Sequence, residues 1–280
     1  MQEQLFPKIP LGHWIDLIVQ YLEDHLLGLF NVIRTIIETI DGWLVWFFSI
    51  GPPYLWIVVI ALIAWWLVGW KSGLLTLIGL WLVNNLGYWS QLIDTLALVI
   101  MSVIIAIIIG IPVGIWMSQK DTVRSVITPI LDFMQTMPAF VYLIPSVIFF
   151  HLGVAPGVIA TVIFSMPPTV RLTNLGIRQV PEDLIEAANA FGSTTGQRLR
   201  KVQIPLAIPT LMAGINQSIM LSLSMVVIAS LVGAPGLGTV VYRAVTQVDV
   251  GTGFEGGLAL VIIAMVLDRI SQNVKKKKTD

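Results

Sequence analysis

The chain has 280 residues, of which 56% are apolar and only 11% charged, and its formal net charge is zero. A soluble domain carries about 25% charged residues, so this composition excludes an ordinary soluble domain. With a mean hydropathy of +0.87, most of the chain is expected to lie in hydrocarbon. Cysteine is absent, which excludes disulfides, thiol chemistry and cysteine-ligated metals. The first forty residues lack the pattern of a removable signal peptide.

The N-terminal region, residues 1–53, is predicted to contain an interfacial helix rather than a membrane span. Over residues 14–40 the polar side chains recur at close to helical period and leave a broad apolar stripe. The stripe comprises Ile18, Leu22, Leu26, Leu29, Ile33 and Ile36. We expect this amphipathic helix to lie flat on the bilayer or to clasp the helix bundle.

Seven apolar segments approach the length of about 20 residues that crosses a bilayer. They are Tyr54 to Trp70, Gly73 to Trp89, Leu92 to Met117, Ser125 to Phe150, Val154 to Asn174, Leu206 to Val232 and Gly256 to Ile270. Pro138 and Pro145 interrupt the fourth segment, which is therefore expected to be kinked or broken. The sequence predicts an all-α polytopic membrane protein, with two additional helices at 54–90 and a core at 91–274.

The basic residues predict the orientation, because Lys and Arg concentrate in cytoplasmic segments. Alternating the seven segments leaves only Lys8, Arg34 and Arg243, of 16 Lys and Arg residues, on one side. The basic tail at 275–280 falls on the other side. We therefore expect a cytoplasmic C-terminus and an external N-terminus.

A polar, basic segment between the fifth and sixth spans is predicted to form two short helices. Pro181 suits a first helical turn and Gly192 suits a helix end. Thr194 and Gln197 form a capping box that starts the second helix, which Pro205 is expected to end. The two helices would project from the membrane on its cytoplasmic side.

This segment resembles the EAA loop of ABC importer permeases. The pattern is Glu-Ala-Ala, three residues, Gly, nine residues, and then an aliphatic residue, any residue, an aliphatic residue and Pro. Its members are Glu186, Ala187, Ala188, Gly192, Val202, Ile204 and Pro205. The resemblance implies that residues 181–205 insert a coupling helix into a groove of an ATP-hydrolysing subunit and transmit its movement to the spans.

The sequence around the loop is similar to that of glycine betaine/proline permeases over 92–270, in stretches such as DFMQTMPAFVYLIP and SLVGAPGLG. This resemblance implies a type I ABC importer transmembrane domain, with a five-helix core and additional N-terminal helices, that takes part in osmoprotection. It also implies that the permease lies in the cell membrane. Its expected partners are a second permease copy, two ATPase subunits that bind ATP and Mg²⁺, and an extracellular substrate-binding protein. The chain has no G-x-x-x-x-G-K-[ST] phosphate loop, so we expect no ATP hydrolysis by this chain, no cofactor of its own and no nucleic-acid partner.

Two further groups of residues are candidates for function. The resemblance places the first at an outer gate or a contact with the binding protein, although turn chemistry alone allows a tight turn before an external helix. This group is Gly233, Ala234, Pro235, Gly236, Leu237 and Gly238. The second group either forms hydrogen bonds between helices or lines a pathway. It comprises Gln135, Met137, Pro138, Asn216 and Gln217.

Several alternatives stay open at this point. A permease of the same class could carry choline, carnitine or another amino acid. An ion-coupled secondary transporter would need intramembrane ionisable residues, for which Asp94 and Asp132 are the candidates. A membrane scaffold without transport activity is the third alternative.

The three histidines are too scattered to suggest a metal site, and the tryptophans suit aromatic belts better than a cation cage.

Overall fold

The computed structural model describes residues 10–273, and this part of the chain is helical. Its α-helices are α1 (Leu11–Phe48), α2 (Pro53–Val68), α3 (Trp70–Asn85), α4 (Trp89–Gln119), α5 (Asp121–Thr136), α6 (Ala139–Phe150), α7 (Val154–Arg178), α8 (Glu182–Ala190), α9 (Thr195–Arg198), α10 (Ile204–Ala229), α11 (Leu237–Gln247) and α12 (Val250–Asn273). The predicted tail at 275–280 lies outside the described residues. The all-helical prediction is confirmed.

Helix α7 is the centre of the bundle and packs along both α4 and α10. Glycines allow this close approach. A Cβ atom at Gly114 of α4 would lie 2.6 Å from the Cβ of Thr173 and 2.7 Å from the carbonyl oxygen of Val170. On the other side, a Cβ atom at Gly214 of α10 would lie 3.0 Å from the carbonyl oxygen of Pro168. Since lipid provides no hydrophobic force between helices, such close backbone packing holds the core together.

A relay of buried hydroxyl groups joins α7 to α10. The Ser218 hydroxyl donates to the carbonyl oxygen of Ser165 at 2.5 Å, and it lies 2.8 Å from the hydroxyl of Thr169. Because a serine hydroxyl has only one proton to donate, the Thr169 hydroxyl is the donor to Ser218. The relay spans the adjacent prolines at 167 and 168, which remove two backbone donors from α7.

We expect Ser218→Ala to lower the free energy of unfolding by about 1–2 kcal/mol, because it leaves Thr169 without an acceptor in a buried site. Ser222, one turn further along α10, is equally buried but has no hydrogen-bond partner. Ser222→Ala should therefore cost less. Thermal unfolding of the detergent-solubilised protein measures both variants, and equal losses would contradict the relay.

The five-helix core consists of four long apolar helices and one broken span. The long helices are α4, α7, α10 with its flanking turns, and α12. The broken span is α5 and α6, which meet at an angle of 98°, so the predicted break at Pro138 is confirmed. The Tyr142 hydroxyl donates to the carbonyl oxygen of Met134 at 2.8 Å, and the Phe133 carbonyl oxygen lies 3.2 Å from it. The bond supplies a donor to Met134, whose helical partner would be Pro138, a residue without an N–H.

Helices α2 and α3 are the two additional predicted helices, and they form a close hairpin around Gly69. Gly69 has a φ of +125°, a conformation that favours glycine. At Gly73 a Cβ atom would lie 2.6 Å from the Cβ of Trp65. Each helix has 16 residues, or about 24 Å of length, which is short for a hydrocarbon core of about 30 Å. Within residues 10–273, four helices are long and apolar enough to span a membrane, or six spans result if each bent pair, α1 with α2 and α5 with α6, counts as one. The prediction of seven spans is therefore one too many, because α3 is too short to count by itself.

Helix α1 extends beyond the predicted residues 14–40 and packs against α4, α6 and α7. It thus clasps the bundle, one of the two predicted arrangements. Phe30 stacks on Phe149 with ring centroids 4.4 Å apart, and Ile37 and Asp41 are buried. The predicted apolar stripe is wrong in part: its members Ile18, Leu29 and Ile36 are about half exposed. The helical period of the sequence located the apolar residues of α1. The face that packs against the bundle is the neighbouring one, which includes Phe30 and Asp41.

Hydrogen bonds between helix termini show which helix ends lie together. At one end of the bundle Arg178 forms a hydrogen bond with Asp121, and Arg269 forms one with Ser72. At the opposite end Tyr88 forms a hydrogen bond with Glu255, and the Gly153 N–H donates to the Val232 carbonyl oxygen. Consecutive spans therefore alternate in direction, as the sequence predicted. The Arg178 end is hereafter the basic end.

Candidate functional site

The predicted coupling segment forms a knob at the basic end of the bundle, built from α8 and α9. Helix α7 ends at Arg178, and Pro181 is the residue that precedes the first turn of α8. Glu182 and Asp183 lie in that first turn, where carboxylates stabilise the positive end of the helix dipole. The short helix predicted to begin at Pro181 is thereby confirmed.

Gly192 ends α8 in a Schellman arrangement. The Gly192 N–H donates to the carbonyl oxygen of Asn189 at 2.9 Å, and the Ser193 N–H donates to that of Ala188 at 3.1 Å. Gly192 has a φ of +74°, which the motif requires at this position. A Cβ atom there would meet nothing within 4 Å, so the need for glycine is conformational rather than steric.

Gly192→Val should loosen the end of α8, since a left-handed conformation costs an ordinary residue about 1–2 kcal/mol. Gly192→Asn should have a smaller effect, because Asn adopts this conformation more readily. Trypsin cleavage after exposed Arg200 reports local opening of the knob. We expect cleavage about tenfold faster in Gly192→Val; equal rates in both variants would contradict the assignment.

The predicted capping box at the start of α9 is confirmed. The Gln197 N–H donates to the Thr194 hydroxyl at 3.3 Å, and the Thr194 N–H donates to Gln197 Oε1 at 2.9 Å. Arg198 Nη1 donates to Asn189 Oδ1 at 2.9 Å, which ties α9 to α8. Arg198 therefore fixes the two helices of the knob to each other.

Pro205 does not end the second short helix, contrary to the sequence prediction. Helix α9 continues through a π-helical turn, Leu199–Gln203, directly into α10. Proline lacks an N–H and its ring collides with the carbonyl four residues earlier in a regular α-helix. Here Pro205 lies in the first turn of α10, directly after a wider turn. The knob is therefore the tip of a continuous helical rod, Thr195–Val232.

The knob exposes the residues that resemblance assigned to coupling. Glu186, Ala187 and Gly192 are exposed, and Ala188 is half-buried. Val202 and Ile204 are half-buried at the base of the rod. Phe191 is 93% exposed, and the sequence prediction did not include it among the coupling residues. An aromatic residue beside a predicted helix end in a polar segment was the available signal, since exposed aromatic anchors are enriched at protein interfaces.

The glycine-rich group at 233–238 serves mainly as packing at the opposite end. Ala234, Gly236, Leu237 and Gly238 are buried, whereas Gly233 and Pro235 are exposed. The Leu237 N–H donates to Thr95 Oγ1 of α4 at 2.8 Å. Contact with a binding protein stays a prediction for the two exposed residues, while the buried four are occupied by their neighbours in the bundle.

The candidate pathway residues do not meet within one protomer. Gln135, Met137 and Pro138 lie at the break between α5 and α6, as predicted. Asn216 lies in a groove between α10 and α12, beside Ser271 and Gln272. Gln217 is exposed on another face of α10. Within residues 10–273, no three His, Asp or Glu side chains are arranged to hold a metal.

Comparison with known proteins shows which family and which transporters the chain is similar to. Residues 102–279 match the family described as binding-protein-dependent transport system inner membrane component. The chain is 57% identical to the glycine betaine transport system permease protein OpuAB of Bacillus subtilis, over 97% of this chain and 96% of that one. It is 54% identical to the glycine betaine/carnitine transport permease protein GbuB of Listeria monocytogenes, over 97% of each chain. Among solved structures, an inward-facing MetNI methionine ABC transporter matches with a TM-score of 0.63 at 21% identity, over 71% of this chain and 97% of that one.

Proposed function

The chain belongs to the family of inner-membrane components of binding-protein-dependent transport systems, and we propose that it carries glycine betaine and related compatible solutes into the cell. It is a membrane-embedded permease subunit of an ABC importer, in which separate subunits hydrolyse ATP. The observation that carries the proposal is the exposed knob with the EAA pattern, in a chain more than half identical over its length to a glycine betaine permease.

The knob is connected to the bundle in a way suited to transmitting force. Helix α8 follows α7 after a short link, and α9 is continuous with α10 through the π-helical turn. The rod from Thr195 to Val232 has 38 residues, or about 57 Å of length. Since α7 and α10 pack along each other in the core, a displacement of the knob by a partner moves both helices together.

The assembly we propose contains two copies of the permease, two cytoplasmic ATPase subunits that bind ATP and Mg²⁺, and an extracellular substrate-binding protein. The permease then needs no cofactor of its own.

The basic end carries the knob, which supports a cytoplasmic position for this end and an external N-terminus. Its described basic residues are Lys71, Lys120, Arg124, Arg178, Arg198, Arg200, Lys201 and Arg269.

Reconstitution in liposomes tests the proposal. The permease is incorporated with its ATPase, ATP is enclosed on the knob side, and the binding protein with radiolabelled glycine betaine is added on the other. We expect uptake that requires both ATP and the binding protein. Uptake driven by an ion gradient without ATP would instead identify a secondary transporter, and uptake of choline or carnitine but not glycine betaine would change the cargo.

A further inference from the structure

An ion pair joins α5 to α7 within the length of the candidate span Val154–Arg178. Arg171 Nη2 is 2.6 Å from Asp132 Oδ1, and the two side chains are 40% and 55% exposed in the protomer. Arg171 precedes Arg178 by seven residues, which places it about 10 Å from the end of α7. Charged side chains at such depth face a water-filled path or a protein partner rather than lipid.

The guanidinium of Arg171 is only partly used. Its Nη2 has Asp132 as acceptor, but its Nε is buried and has no hydrogen-bond partner. Arg178 of the same helix provides a contrast. Its Nε donates to Asn174, and its Nη2 contacts both the Met117 carbonyl oxygen and Asp121. Arg178 therefore uses both Nε and Nη2 for contacts within the bundle, whereas Arg171 uses Nη2 alone.

The free donor at Arg171 suits a carboxylate. A guanidinium binds a carboxylate best through two parallel N–H donors, and Nη1, which has no hydrogen-bond partner among the described residues, forms such a fork together with Nη2 at the accessible end of the side chain. The Arg178 pair already ties α5 to α7 at the basic end, so the second pair is not needed to hold α5.

We propose that Asp132 and Arg171 form a transient binding site for a small zwitterion during its passage through the permease. Arg171 receives the carboxylate of the solute, and Asp132 receives its quaternary ammonium group. Between passages the two side chains neutralise each other, so the site carries no unpaired charge. This site rests on the proposed function, because it assumes a cargo with both charges.

Cysteine accessibility tests whether the site faces water and holds the solute. The chain contains no cysteine, so Asp132→Cys introduces the sole thiol of the permease. In the reconstituted complex with ATPase and binding protein, we expect labelling by a membrane-impermeant cationic methanethiosulfonate during turnover. Asp132→Cys also removes the partner of Arg171 and leaves its guanidinium free for the solute carboxylate, so glycine betaine should slow the labelling severalfold, whereas choline, which has no carboxylate, should not. Absence of labelling overturns the water-facing position, and labelling that both solutes leave unchanged overturns the binding site.

A second measurement uses Arg171→Gln, with Arg124→Gln as the matched control. Arg124 is an exposed arginine of α5, and the change removes the same charge outside the site. We expect glycine betaine uptake to fall about tenfold or more in Arg171→Gln, with complex assembly and basal ATP hydrolysis retained, and to be nearly unchanged in the control. Equal uptake in the two variants overturns the site. Lack of glycine betaine uptake by the unaltered complex would refute the proposed function instead, and the labelling of Asp132→Cys would still report on the pathway.

Discussion

Gly238→Ala is expected to destabilise the protein by about 1–3 kcal/mol or more, the cost of forcing extra atoms into a packed core. The added Cβ would overlap the carbonyl oxygen of Val226 and lie 2.7 Å from its carbonyl carbon. Backbone atoms of a helix cannot rotate away as a side chain can. Helices α10 and α11 must therefore separate, which also strains the hydrogen bond from Leu237 to Thr95.

Gly257→Ala is the matched control. Gly257 lies within α12, and a Cβ atom there would meet nothing within 4 Å. Alanine favours a helix over glycine by about 0.5–1 kcal/mol, so this variant should be slightly stabilised. The tryptophans allow both variants to be followed by fluorescence during thermal unfolding in detergent. A similar shift in both would show that close packing at Gly238 is unimportant.

Ala187→Trp is expected to abolish most ATP-driven uptake, by about tenfold or more, while leaving the bundle intact. Ala187 is exposed on α8 and faces away from the core, so a larger side chain has room in the isolated permease. In the assembled transporter it would hold the knob away from its groove, because interfaces are packed as closely as protein interiors. The measurement is uptake by the reconstituted complex, together with thermal stability of the permease alone.

Ala187→Ser separates the effect of size from that of chemistry at the same position. This variant changes polarity but adds only one heavy atom, so uptake should stay near the unaltered level. Normal uptake by Ala187→Trp would show that α8 does not enter a tightly packed interface. A loss of thermal stability in Ala187→Trp would mean that the side chain acts through the fold rather than through the partner.

Local features of the knob were predictable because they depend on residues close together in sequence. The capping box needs only Thr194 and Gln197, and the end of α8 needs only a residue that accepts a positive φ at 192. The continuation past Pro205 was not predictable in this way. Proline signals a helix end from its own chemistry, and only the packing of the following span shows that a π-helical turn absorbs the conflict.

Predictions made from polarity or turn chemistry alone agreed less well with the structure. Asn216 and Gln135 both lie at membrane depth, yet they occupy different faces of different helices and do not meet within the protomer. The glycine-rich group at 233–238 was predicted to lie at an outer gate or to contact the binding protein, and four of its six residues are buried by neighbouring helices. Polarity and turn chemistry identify unusual positions without indicating which neighbour a helix face will meet.

The sequence by itself determined the apolar character of the chain, its all-helical class, the relative direction of consecutive helices and the two short helices between α7 and α10. These depend on composition, on segment length and on short-range spacing, which a single chain displays directly. Only the tertiary structure decided which face of α1 meets the bundle, that the knob is the tip of a continuous rod, and that Arg178 uses two guanidinium nitrogens for contacts while Arg171 uses one. These depend on contacts between residues far apart in the sequence, such as Arg178 with Asp121, and side-chain pairing across a bundle is fixed only when the helices are packed together.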